Sequence, residues 1–234
     1  MKNSIVIFEK QLRDTFKNKT ILIQFLMFPI MTLIMENTVR MDGMQPHFFV
    51  KLFSVMFIGM APLTCMSAIL SEEKEKNTLR VWSSFGVTPW QFLLGTGSYV
   101  FFCCLFGIAV FAFAGEYTGK ELTEYLMIMA LGVILSELIG AAIGVFGRNQ
   151  MEATSISIPV MMIFSFVPML AGFNETIRRI GRIVYSQQLS NWILGIGEKS
   201  GKGGIGTEGI LILIANFILA AGLFLWAFRK RGLE

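Results

Sequence analysis

Of the 234 residues, 54% are hydrophobic and the mean hydropathy is +0.63. That is well above the roughly 45–50% apolar usage of a soluble domain, which excludes a water-soluble fold. The net charge of +4 and sequence pI near 9.0 do not point to nucleic acid, because the basic residues gather at the ends of apolar runs, where they orient membrane segments. The expected fold is all-α and integral to the membrane. It is read as a single transmembrane domain, residues 1–234, with six spans.

Residues 3–17 read as an amphipathic helix, with Ile5, Phe8, Leu12 and Phe16 at helical spacing and Lys10, Arg13, Asp14 and Lys17 opposite. Within residues 1–19 such a helix is expected at the membrane interface. A span needs about 20 largely uncharged residues. The run at 20–39 is marginal, since only 20–35 is uncharged, and Lys19 and Glu36 must reach the two interfaces. No small-x-small site follows Met35, so this run is expected to remain as a span and not to be cleaved. The other five spans are 48–70, 90–115, 122–146, 153–173 and 209–228.

Between the second and third spans, residues 71–92 form the longest strongly charged stretch. Ser71 is the candidate N-cap of a helix, with Glu72 and Glu73 in its first turn. Gly86 and Pro89 stop that helix, and Trp90 marks the return to the interface. Leu79, Val81, Trp82 and Phe85 are too few to span and need a partner surface, either the membrane interface or another protein. A short turn at 147–152 joins the fourth and fifth spans, and Pro159 and Pro168 favour kinks in the fifth. Residues 174–208 are too long for a simple turn. Ile177, Ile180, Val184, Ile193 and Leu194 among arginines predict short amphipathic helices at the outer interface, followed by a Gly-rich stretch.

The basic residues favour a cytoplasmic N-terminus. Twelve of the twenty then fall on cytoplasmic segments, against a contrary cluster at Arg178, Arg179 and Arg182. The loop at 71–90 is then cytoplasmic, the segment at 174–208 extracellular, and both termini cytoplasmic.

Catalytic motifs fail on context. Gly201, Gly203 and Gly206 match G-x-G-x-x-G without a preceding strand, and Gly201-Lys202 continues with Gly203, not the Ser or Thr of a phosphate-binding loop. His47 is the single histidine, which rules out a zinc H-E-x-x-H pair. Cys65, Cys103 and Cys104 fall inside spans and read as small packing residues. No metal or cofactor is expected on this chain. Glu137 is the anomaly, a carboxyl midway along the fourth span, where a charge costs about 2.5–3.5 kcal/mol or more. It must face protein or water, on a substrate path or in a proton relay, at a dimer interface, or protonated or hydrogen-bonded to Ser136 or a neighbouring helix. Gln24 and Asn216 are neutral counterparts, candidates for the same substrate path or dimer interface and suited to bonds between helices.

Residues 72–95 resemble the ABC-2 type permeases, in which E-E-K-E-x-G-T-L follows the second span and v-t-P-x-x-x-x-x-L-G-K leads into the third. Here the first stretch reads Glu72-Glu73-Lys74-Glu75-Lys76-Asn77-Thr78-Leu79, and the second runs from Val87-Thr88-Pro89 to Leu94-Gly95-Thr96. Asn77 stands for the usual Gly, a mild change because Asn tolerates the left-handed conformation, and Thr96 for the usual Lys.

The resemblance implies an exporter in the plasma membrane. In it this chain pairs with a second permease subunit, identical or not, and with two separate ATPase subunits that hold ATP and Mg. By the same resemblance the ATPases would touch a coupling helix at Thr78, Leu79, Arg80, Val81, Trp82 and Phe85, and the N-terminal helix at Lys10, Arg13 and Lys17. The segment before the last span would form re-entrant helices near the outer gate. The implied substrate is hydrophobic or amphipathic: a peptide, bacteriocin, toxin or drug. An ion-coupled secondary transporter would need paired intramembrane charges; a non-transporting immunity or accessory protein is the other alternative.

Overall fold

The computed structural model describes residues 2–15, 19–39, 46–197 and 206–231. Among them are ten α-helices and no strand: α1 (Lys2–Thr15), α2 (Lys19–Thr38), α3 (Phe48–Glu75), α4 (Thr78–Ser84), α5 (Pro89–Ala114), α6 (Gly119–Phe146), α7 (Gln150–Ala171), α8 (Glu175–Gly181), α9 (Tyr185–Gly195) and α10 (Thr207–Arg231). Five of these, α3, α5, α6, α7 and α10, are long and apolar enough to cross a membrane, whereas α2 offers a shorter apolar stretch at Leu22–Thr38. The chain is thus an all-α, multi-pass membrane protein.

Helix α3 is the central post, packed against α6, α7, α2 and α5. Small residues set how close its neighbours come, as expected where lipid offers little hydrophobic drive and helices associate by close packing. A β-carbon on Gly140 of α6 would lie 2.2 Å from the Leu63 carbonyl oxygen, and one on Gly144 would lie 2.6 Å from that of Ser67. Hydroxyls then tie the helices together. Ser136 donates to the Ile58 carbonyl and meets the Tyr185 hydroxyl, both at 2.6 Å. Ser54 meets the Tyr125 hydroxyl at 2.7 Å, and Ser157 donates to Ser67 at 2.8 Å. Tyr117, in the α5–α6 connection, stacks on Tyr125. Burial pushes the Tyr117 phenol up, with Glu121 and Glu36 adding to the shift, so it stays neutral.

The predicted amphipathic helix is present as α1, but its bundle-facing side is turned relative to the expected stripe. Ile7 and Gln11 are buried, Phe8 and Leu12 flank them, and Ile5 is exposed. The cause is its seat on α5, where Gly95 has no side chain: a β-carbon there would stand 2.8 Å from Ile7 Cβ and 2.8 Å from the Ser4 carbonyl oxygen. Ser4 donates to the Gln91 carbonyl (3.1 Å), and the Phe8 ring meets Tyr99 and Phe102 edge-on.

Ser71 does not cap a helix. Span and charged segment form one continuous helix, α3, in which the buried Ser71 donates to the Ser67 carbonyl one turn back (2.8 Å). The break comes six residues later at Asn77, whose φ of 58° is left-handed. Gly86 (φ 75°) ends the next turn of chain. Thr88 and Gln91 then form a reciprocal capping box with Pro89 in the first turn of α5.

Residues 174–197 fold as two short helices. Gly181 lies against Val167 of α7, Leu189 against Gly132 of α6, and Trp192 against Gly209 of α10. Lys51 at the start of α3 donates to the Leu194 carbonyl (3.3 Å). Helix α9 is thus inserted between the long helices, with Tyr185 and Leu189 fully buried. The glycines at 201 and 203 lie outside the described residues.

Candidate functional site

Four consecutive charged residues, Glu72 to Glu75, close α3 at its C-terminal end. Acidic groups there oppose the helix dipole, so they need partners, and each finds one on another element or the next turn. Glu73, 6% exposed, accepts from Lys10 and from Gln11 Nε2 (3.0 Å), both on α1. Lys74 donates to the Val145 carbonyl near the end of α6 (3.1 Å), where a cation suits the dipole. Glu75 accepts the Gln150 backbone N–H that opens α7 (3.0 Å), where an anion suits it. Glu72 pairs with Lys76 one turn on. The charged run is therefore a joint that fixes α1, α6 and α7 at one end of α3. The N-terminal-cap reading missed it, although Glu73 continues the buried stripe of Leu63, Met66 and Leu70 at helical spacing.

From this joint α4 projects. Thr78 donates to the Glu73 carbonyl (2.7 Å) and Leu79, 3% exposed, packs into the core. Trp82 is half-buried against the same core. Val81 and Phe85, one turn apart, point outward with 51% and 78% of their surface exposed. Arg80 is exposed beside them, as is Arg13 near the end of α1. Lys10 is engaged by Glu73, and Lys17 lies outside the described residues. The structure thus separates the six residues of the predicted coupling helix into an anchoring side, Thr78, Leu79 and Trp82, and an outward side, Arg80 with the exposed apolar pair Val81 and Phe85.

The profile of the family described as "ABC-2 family transporter protein" matches residues 2–227. The chain belongs to the ABC-2 family. No curated protein matches it. As an ABC-2 permease it is the membrane component of an ABC-type transport system, and its family works with ATPase subunits, to which ATP and Mg belong. The two departures from the family motif acquire physical readings here. Asn77 occupies the left-handed position that ends α3. Thr96 is wholly buried beside Gly95, with no bond to its hydroxyl among the described residues.

The remaining sequence-predicted residues of this ABC-2 permease lie apart from that face. Gln24 on α2 accepts from Thr64 on α3 (3.1 Å). Asn216 on α10 donates to the Ile183 carbonyl in the α8–α9 turn (3.0 Å). Both make the bonds between elements that their neutral side chains suggested. Glu137 is buried by its own chain, with Oε2 over Gly97 of α5, 3.0 Å from where a β-carbon there would stand, and its Oε1 has no hydrogen-bond partner among the described residues. It does not bond Ser136, whose hydroxyl is occupied by Ile58 and Tyr185. Glu137→Gln preserves that shape and is expected to fold and to transport at the wild-type rate, because the carboxyl has no hydrogen-bond partner among the described residues to lose. A reconstituted transport assay with matched protein amounts checks this, and loss of transport in a well-folded Glu137→Gln protein would give the carboxyl a direct role.

Proposed function

We propose that this permease docks its ATPases through Val81 of α4 and Phe85 immediately after it, and exports a hydrophobic or amphipathic substrate such as a peptide, bacteriocin, toxin or drug. The observation that carries the reading is the exposed apolar pair, held by a joint that reaches three other helices. A docking contact can transmit force only if its base does not yield, and the bonds from Glu73, Lys74 and Glu75 supply that base.

In this reading α1 lies at the cytoplasmic interface, with Arg13 beside the docked subunit. Both termini are cytoplasmic and the chain sits in the plasma membrane. Helix α2 is the sixth span; its apolar stretch of 17 residues reaches about 25 Å, close to what a crossing needs. Helices α8 and α9 form a re-entrant hairpin on the outer side. A second permease subunit, identical or not, covers part of the apolar surface that α2, α7 and α10 leave exposed. A cleft of about 210 Å³ between α2, α3 and α7 is lined by Met27, Met60 and Met161 together with Gln24, Thr64 and Ser157. Flexible thioethers beside a few hydroxyls suit adaptable recognition of amphipathic molecules.

Val81→Ala with Phe85→Ala tests the docking. Burying each side chain is worth about 1.5–3 kcal/mol, so the pair is expected to weaken ATPase retention by at least about tenfold. Insertion and yield stay unchanged, because neither side chain supports the core. Co-purification of the ATPase and substrate-stimulated ATP hydrolysis should fall together. Wild-type retention in the double variant would remove α4 as the docking element.

A further inference from the structure

We propose that the cleft between the α8–α9 turn and the start of α10 binds the phosphate of a membrane phospholipid. This site is separate from α4 and does not depend on the transported substrate. The cleft holds about 480 Å³ and is lined by Arg178, Arg179, Arg182, Gln187, Trp192 and Glu208, with Glu175 at its edge.

Three arginines face two glutamates, leaving one positive charge, which matches the single negative charge of a phosphodiester. Arg178 pairs with Glu175, whose carboxyl it holds below the usual range by hydrogen bonding, and Arg182 pairs with Glu208 at 2.5 Å. Arg179 has no ion pair or hydrogen bond among the described residues. Its planar fork can take two phosphate oxygens at once.

A buried, unpartnered group supports the same ligand. Gln187 is only 4% exposed, and while its Nε2 donates to Asn191 (3.0 Å), its Oε1 has no partner. Amide oxygen and nitrogen are interchangeable by a half-turn, so one polar atom stays unsatisfied in either orientation. Turned over together with the exposed Asn191, whose amide N–H then donates to the Gln187 oxygen, it presents a donor to an anion. Such a group is costly to bury alone and is satisfied by a headgroup oxygen.

The apolar neighbours distinguish a lipid from a free anion. Ile180 and Ile183, next in sequence to Arg179 and Arg182, are 70% and 72% exposed. Arginines and isoleucines thus alternate along one turn, as required to hold a charged head and its acyl chains together. Guanidinium groups take the phosphate of a headgroup while apolar side chains beside them meet its acyl chains.

The test uses the purified full chain in neutral detergent, titrated with phosphatidylglycerol, with diacylglycerol of the same acyl chains or with inorganic phosphate, and read by native mass spectrometry. Phosphatidylglycerol is expected to give a saturable one-to-one adduct, with diacylglycerol and phosphate giving none at the same concentrations. R179Q is expected to weaken the adduct by about tenfold, while K230Q, at the far end of α10, leaves it unchanged. Equal binding of diacylglycerol, equal binding of inorganic phosphate, or a full-affinity adduct with R178Q/R179Q/R182Q would each overturn the proposal. The ligand comparison is made on the wild-type chain and stands whatever the variants do to folding.

Discussion

Gly140→Val is expected to abolish the folded protein in the membrane, the largest effect of any single substitution considered. Even one β-carbon at this position stands 2.2 Å from the Leu63 carbonyl oxygen. The obstacle is backbone on α3, not a side chain that can rotate away. Helices α3 and α6 would have to separate, and with them the Ser136 to Ile58 bond at the same interface. Overpacking a well-filled core costs about 1–3 kcal/mol for small additions; a branched side chain against backbone exceeds that, in a fold with only about 5–15 kcal/mol to lose. Gly140→Ala should be intermediate, and Gly222→Ala, which meets nothing within 4 Å, should be silent. Size-exclusion profiles and thermal midpoints of detergent-extracted protein separate the three. A wild-type profile for Gly140→Val would mean that α3 and α6 are not packed as described.

Glu73→Leu is expected to loosen α1 on the bundle. It removes the acceptor for Lys10 and Gln11 together. Lys10 is about a third exposed and can turn to water, so its share of the loss is small. Gln11 is buried, and leaving its amide unpaired costs about 1–3 kcal/mol. The burial of Ile7 on α5, about 1.5–3 kcal/mol, the Phe8 ring contacts and the Ser4 bond to Gln91 remain, so α1 loses its polar anchor and keeps its seat on α5. Amide exchange in α1 should accelerate by about tenfold or more, while exchange in the buried part of α3 stays slow. ATPase retention should fall as well, since α4 rises from the same joint. Glu73→Gln keeps an acceptor in place and should be much milder. Equal exchange in α1 for the Leu variant and wild type would show that Glu73 does not anchor it.

Much of this architecture is legible in the sequence, for a simple reason: long apolar runs can satisfy their backbone in lipid only as helices. The runs beginning at Phe48 and Trp90 appear as α3 and α5 within a residue of their expected starts, and Thr88-Pro89 announces the cap of α5. The end of the second span was not legible. Glu72 and Glu73 look like the acidic first turn of a new helix, and only partners far away in sequence, Lys10, Gln11, Val145 and Gln150, reveal them as the last turn of an old one. The same holds for Leu79 and Trp82. As letters they match Val81 and Phe85, and packing alone divides anchor from free surface. Gly95 could be matched to a family motif, but its reason, the seat for Ile7, required α1 to be placed on α5.

The central claim is that α4 meets an ATPase on the cytoplasmic side, and site-specific photo-cross-linking in intact cells tests it most directly. A photoreactive residue is placed at Phe85 or at Ile180, both exposed, with the ATPase co-expressed. The account predicts a cross-link to the ATPase from position 85 and none from position 180. A cross-link from position 180, or none from position 85 in a complex that still retains its ATPase, would contradict it.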